Sequence, residues 1–337
     1  MKNHLSQPPK IHFIEWNSEY ERMMTSALKK EFNVHTIYHV KKHFKSVHSL
    51  LPGKRLKHWH RKFQIAIKFR RVRESDIIIC NGYSAFLMLD LLSLLKCKKI
   101  LVLRDSVAAL TSKRRRLKLL SHDENYLDRV TAVFDVIYSF DPEDCRKYGL
   151  SYVDQFLPFT RHNMAAWQSE PANTPSSCSC FYVGGFDDYR AKLINDLTPV
   201  LRQNHCQTDF YLVGDCNGNP DYPDYPDCCI NQKISYQQNI EKLKRASVVL
   251  EINKPDQCGL TLRALEAMAF NKKLITNNAS IKKHAFYHPD KIFIWGEDDR
   301  NAIAGFLSSE HQKTDPALLE TYFADGMLKT LAGTAVE

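Results

Sequence analysis

Short apolar runs alternate with stretches of helical spacing along nearly the whole chain. Residues 10–15 read as a first strand, and Asn17 or Ser18 can cap a helix that places Met23, Met24, Ala27 and Leu28 on one face. The alternation returns at 34–40, at 76–81 before a helical stretch 83–95, at 99–105 and at 136–140. Strand-length runs without an internal polar alternation predict a parallel sheet covered on both faces. A polar connection with Pro171, Pro175, Ser176 and Ser177 follows at 161–179, and then the rhythm restarts. Strands are expected at 180–183, 209–213, 247–252 and 273–276, and helices at 191–202, at 236–246 and after Gly259.

The 337 residues suit two domains, each large enough to bury its own core. The pattern therefore predicts an α/β protein of two Rossmann-like domains with parallel sheets facing a central cleft. An N-terminal domain is expected over 1–160, a linker over 161–179, a second domain over 180–315 and a helical segment over 316–337 that returns to brace the first. No stretch approaches the ~20 apolar residues of a membrane span, and residues 1–10 hold no apolar core of a secretory signal, so a cytoplasmic protein is expected. Ten cysteines without Cys-x-x-Cys units or a Cys/His ladder predict free thiols and no structural zinc site. The loop at 221–227, with aspartates set between Tyr and Pro, reads as a rigid surface turn.

Charge changes this picture in one place. The net charge is +9, yet residues 41–73 hold twelve Lys or Arg and no acid, and the remainder carries 35 basic against 38 acidic residues. Leu56, Trp59, Phe63, Ile65 and Ile67 are interleaved with Lys54, Arg55, Lys57, Arg61 and Lys62, which predicts one or two basic amphipathic helices broken at Pro52-Gly53. A solvated helix face, an anionic membrane contact and a nucleic-acid patch all fit that composition. Near an anionic bilayer each such cation contributes on the order of 1 kcal/mol.

The candidate chemistry lies in the second half. Gly259-Leu260-Thr261 can open a helix whose N–H groups and dipole suit a diphosphate, with Arg263 one turn in and Glu266 on the same face. The run Gly-Leu-Thr-x-Arg-x-x-Glu-Ala, continued by Lys272-Lys273-Leu274-Ile275-Thr276-Asn277-Asn278, resembles the C-terminal half of GT-B glycosyltransferases of lipopolysaccharide and capsule assembly. Phe181-Tyr182-Val183-Gly184-Gly185 is similar to the first strand and glycine turn of that half, and Phe140-Asp141-Pro142-Glu143-Asp144 to a segment near the domain junction. The resemblance spans 136–296. It departs from many retaining members at Cys258, where they carry a glutamate eight positions before Glu266.

The resemblance implies a metal-independent glycosyltransferase that moves a sugar from a nucleotide-sugar donor to a lipopolysaccharide core, O-antigen or capsule intermediate. It implies work at the inner face of the plasma membrane, with no cofactor and no nucleic acid. Donor contacts fall on Gly184, Gly185, Arg190 (or Lys192), Tyr236, Gln257, Gly259, Leu260, Thr261, Arg263 and, for the ribose, Glu266. If the reaction inverts, a base from the N-terminal half is needed; Glu15 and Asp105 each follow a predicted strand, and the resemblance ranks Glu15 first because inverting GT-B enzymes often place a base after the first strand. Lys54, Arg55, Lys57, Arg61 and Lys62 would meet the membrane or its lipid-linked acceptor. A nucleic-acid-binding or scaffold protein on a degenerate fold, an epimerase and a polyol-phosphate transferase are the alternatives.

Overall fold

The computed structural model describes residues 8–38, 40, 47, 50–169, 177–214, 228–255, 257–311 and 313–333. The chain forms two compact units: Met1–Asp154 with Pro158–Thr160 and Phe323–Glu337, and Gln155–Leu157 with Arg161–Tyr322. Each is built on one six-stranded sheet, and every described strand pairing is parallel.

In the first unit β1 (Ile11–Ile14), β2 (Val34–Ile37), β3 (Ile77–Asn81), β4 (Lys98–Leu103), β5 (Val136–Ser139) and β6 (Ser151–Tyr152) lie in the order β2-β1-β3-β4-β5-β6. All residues of β1 and β3 are buried, as expected of central strands covered on both faces. Helix α1 (Glu19–Glu31) starts at Ser18, whose N–H donates to Glu21 at 2.9 Å, and it buries Met24, Ala27 and Leu28. Asp141 caps the helix Pro142–Tyr148 by accepting from the N–H groups of Glu143 and Asp144, and Gly149, at φ 66°, ends it. Asp144 in turn accepts from the Val107 N–H at 2.7 Å.

In the second unit β7 (Ser179–Gly185), β8 (Gln207–Val213), β9 (Cys229–Ile230), β10 (Val248–Glu251), β11 (Lys273–Thr276) and β12 (Ile292–Ile294) take the order β12-β11-β10-β7-β8-β9. Read from its own first strand this is the dinucleotide-fold order 3-2-1-4-5-6. The order reverses between β7 and β10, the point at which open α/β sheets bind ligands outside the carboxyl ends of their strands. In the first unit the corresponding reversal lies between β1 and β3.

Several local expectations change. The connection 161–179 begins as a helix, Arg161–Ser169, and Gln168 donates to the Ala269 carbonyl at 2.6 Å. The stretch 83–95 is broken into short helical pieces, Gly82–Ala85, Phe86–Met88 and Leu89–Leu92. The segment after 315 is a 3-10 turn, Pro316–Tyr322, then a helix, Ala324–Ala332, separated by the extended Phe323. That last helix belongs to the first unit, where the Ala324 N–H donates to the Phe159 carbonyl at 2.8 Å. Cys229 is disulfide-bonded, whereas free thiols were expected throughout; sequence spacing does not carry pairing, which is a matter of approach in space. Among the described residues no helix is long and apolar enough to cross a membrane. The 221–227 loop lies outside the described residues.

Candidate functional site

The second unit gathers the predicted donor residues around the reversal between β7 and β10. Strand β7 ends in Gly184-Gly185, and a Cβ on Gly184 would sit 2.2 Å from the hydroxyl of buried Tyr182, so the turn requires glycine there. Asp187 caps the following helix, Asp188–Gln203, by accepting from the Arg190 N–H at 3.0 Å. The Arg190 guanidinium folds back, Nη1 donating to the Gly185 carbonyl at 3.0 Å and lying 3.5 Å from Asp187. Lys254 reaches the same Asp187 oxygen at 3.4 Å. Lys192 is exposed on that helix.

Beside β7, β10 ends in Glu251, a buried carboxylate that sequence reasoning passed over. Its Oε1 accepts from the N–H and the hydroxyl of Thr261, and its Oε2 from the Thr276 hydroxyl at 2.6 Å. Thr261 then accepts from the Arg263 N–H at 3.1 Å and so caps the helix Leu262–Ala269. One carboxylate thus ties two strand ends to the first turn of that helix. Burial pushes the Glu251 carboxyl upward, against the opposing pull of the threonine hydroxyls.

The loop leading into the helix is held by its carbonyls. Asn253 Nδ2 donates to the carbonyls of Gln257 and Gly259, Asn278 Nδ2 to those of Cys258 and Gly259, and the Ser280 hydroxyl to Cys258 at 2.5 Å. Gln257 is half-buried, and Gly259 and Leu260 are buried. Asn253 is 2% exposed, and its Oδ1 accepts no hydrogen bond. The missed residues share a weak signal: each is a polar group at or just past the end of an apolar strand. Nothing in the sequence says which of them turns inward.

Arg263 and Glu266 meet as the helical spacing requires, Nη1 to Oε2 at 2.7 Å, and the other Glu266 oxygen accepts from the Tyr236 hydroxyl at 2.7 Å. Glu266 is 1% exposed, so its carboxylate points onto these partners; burial pushes its carboxyl upward while Arg263 opposes it. Arg263 also stands over the Phe181 ring, 5.5 Å from its centroid. Arg263 and Tyr236, predicted as separate ligands, are therefore joined through Glu266. Among the described residues no group of three or more His, Cys, Asp or Glu is arranged to hold a metal ion.

The two acids of the first unit differ. Glu15 follows β1 in the left-handed region, φ 56°, which is costly for a residue with a side chain. Its carboxylate accepts from Asn17 and from the Val40 N–H, and its carbonyl accepts from Asn81 Nδ2 at 3.2 Å and the Ser84 hydroxyl at 3.0 Å. Asp105, beyond β4, is exposed.

Of the five predicted surface cations, Arg55 and Lys62 are exposed and Lys57 is half-buried on the helix Lys54–Lys68. Arg61 is engaged by Asp90 at 2.9 Å, and the Lys54 side chain lies outside the described residues. The helix is turned against the usual rule. His60 and Gln64 are buried, with a 3.0 Å hydrogen bond between them, whereas Leu56, Trp59, Phe63 and Ile67 are 51, 71, 48 and 42% exposed.

No family model matches the chain, and no curated protein sequence matches it. Solved structures do. The chain is similar to an α,α-trehalose-phosphate synthase (UDP-forming) from Burkholderia xenovorans in complex with glucose-6-phosphate, at 11% identity and a TM-score of 0.58, over 96% of this chain and 100% of that one. It is similar to HepE from Anabaena in complex with UDP-glucose, at 12% identity and a TM-score of 0.58, over 96% and 98%. A third is α,α-trehalose 6-phosphate synthase from Burkholderia multivorans, at 11% identity and a TM-score of 0.57, over 98% of both chains. These likenesses show the fold: two Rossmann-like units in succession, the GT-B fold, in agreement with the fold class read from the sequence.

Proposed function

We propose that the chain is a glycosyltransferase that uses a nucleotide-sugar donor, bound at the β7/β10 reversal of the second unit. The observation that carries this reading is the Thr261-capped helix that follows β10 at the point where the sheet order reverses, with Arg263 in its first turn, next to strand β7, whose glycine end holds Arg190. Helix N–H groups, the dipole and an anchored guanidinium together compensate the charge of a leaving diphosphate. That HepE was solved with UDP-glucose supports a nucleoside-diphosphate sugar as the donor class.

In this reading Glu266 is a positioning residue. Its buried carboxylate fixes Arg263 toward the diphosphate and Tyr236 toward the base or ribose, while the unpartnered Asn253 Oδ1 takes a donor hydroxyl. Asp105 becomes the better base for an inverting reaction, because its carboxylate is exposed whereas that of Glu15 is spent on Asn17 and Val40. The acceptor we propose is a lipid-linked intermediate of lipopolysaccharide core, O-antigen or capsule at an anionic membrane surface. The outward apolar stripe Leu56, Trp59, Phe63 and Ile67 with Arg55 and Lys62 beside it supports that location.

A titration of UDP, GDP, CMP and dTDP with their sugar conjugates tests the reading by thermal shift. One nucleotide class should stabilise the wild type, and Arg263→Ala should weaken that ligand by roughly 10- to 100-fold, as expected for a charge-assisted phosphate contact. Stabilisation by none of them, or equal affinity in the variant, removes the donor site from this reversal.

A further inference from the structure

A cavity lies wholly within the first unit. It is about 740 Å³ in volume, beside edge strand β2 and the carboxyl end of the helix Lys54–Lys68. Its walls include Lys10, His12, His35, Lys68, Arg70 and Arg71, and among the described residues no Asp or Glu lines it. Arg70 and Arg71 are exposed, so their charges reach solvent at its mouth. At its inner wall His12 and His35, paired across β1 and β2, stack with ring centroids 5.4 Å apart.

The acid behind this wall is already consumed. Asp76 accepts from the N–H groups of Lys10 and Arg73, from the Arg73 guanidinium, and from His12 Nε2 at 3.0 Å. Those donors hold its carboxyl down at about 2, although burial works the other way. With Asp76 ionised, the His12 proton sits on Nε2 and Nδ1 is a bare acceptor. His12 is 1% exposed, and its Nδ1 has no hydrogen-bond partner. A buried imidazole nitrogen without a partner costs free energy.

We propose that this cavity is a binding site for a phosphate monoester, distinct from the nucleotide-sugar site of the second unit. The side chains of Lys10, Lys68, Arg70 and Arg71 would take the phosphate oxygens. A phosphate monoester carries about −1.5 to −2 charge near neutral pH, which matches a wall of cations. Ile67, which ends the exposed apolar stripe, also lines the cavity, so the headgroup of an anionic lipid and a soluble phosphate are both sources of this chemistry.

The test follows the side-chain nitrogen resonances of the histidines in the full chain. Inorganic phosphate should shift His12 and His35 saturably, beyond any effect of chloride at equal ionic strength, and Lys10→Gln/Arg71→Gln should weaken this binding at least 10-fold. Vesicles of phosphatidylcholine with phosphatidic acid, compared with phosphatidylglycerol at equal surface charge, distinguish the sources. A preference of about 5-fold or more for the phosphatidic acid vesicles, lost in the double variant, assigns the site to a lipid headgroup. Saturable phosphate binding with no vesicle preference assigns it to a soluble ester. No shift beyond chloride with either probe, or an unchanged double variant, overturns the proposal. Binding of the nucleotide-sugar conjugates, whose phosphates are all diesters, should be equal in wild type and double variant, so this result stands apart from that of the donor site.

Discussion

Two buried polar clusters, one in each unit, solve opposite problems. In the second unit each oxygen of Glu251 and of Glu266 has a hydrogen-bond partner in Thr261, Thr276, Arg263 or Tyr236, and the cluster holds a loop and a helix end in place. In the first unit Asp76 is saturated with donors, yet His12, which rests on it, keeps one nitrogen unpartnered. A closed network stores positional order; an open one leaves an acceptor unmet inside the fold. The same low-dielectric burial underlies both, because it makes every unmet hydrogen bond expensive.

The comparison is most strongly broken at Glu251. Alanine there strands the Thr261 and Thr276 donors, and denaturant unfolding should show a loss of about 3 kcal/mol. Glutamine, which still accepts, should lose about half as much. Because burial raises the folded carboxyl of Glu251 above its unfolded value, its ionisation opposes folding. The wild type should therefore gain stability as pH falls through that raised value toward the ordinary carboxylate range, a gain that the glutamine variant lacks. Equal stability of wild type and alanine variant would falsify the closed-network description.

Asp76 offers the reverse sign. Its folded carboxyl lies at about 2, below the unfolded value, so its contribution is present above the ordinary aspartate range and disappears as pH falls toward about 2. Asp76→Asn should remove roughly 2 kcal/mol at neutral pH and flatten that acid limb in a pH series of unfolding curves. An acid limb unchanged in the variant would show that other carboxylates carry it.

The smallest effect on stability is expected on the outward helix. Trp59→Ser with Phe63→Ser should change folding stability by less than about 0.5 kcal/mol, since neither side chain is buried, while lowering affinity for anionic vesicles by roughly 10-fold or more. Large destabilisation with intact vesicle binding would mean that the stripe packs against protein.

Much of this site was legible before the structure. The Gly184-Gly185 turn, the helix opened at Gly259-Leu260-Thr261 and the Arg263–Glu266 spacing are local patterns, carried by backbone geometry and the helical repeat. Glu251, Asn253 and Asn278 were invisible because they act through strand neighbours distant in sequence. Glu15 ranked above Asp105 by resemblance alone, and the hydrogen bonds of the Glu15 carboxylate became visible only in the structure. The helix Lys54–Lys68 shows the same limit: its amphipathic pattern was clear, but a pattern does not say which face meets the core.

The sequence alone therefore determined the alternation of strand and helix, the two-unit parallel architecture and the helix-cap chemistry, since period and capping depend on neighbours within a few positions. Only the tertiary structure decided which strands adjoin and hence where the sheet order reverses. It also decided which carboxylates are closed off by donors, which histidine nitrogen is left without one, and which side of an amphipathic helix faces out. Those outcomes depend on burial and on contacts between residues far apart along the chain, and no local pattern encodes them.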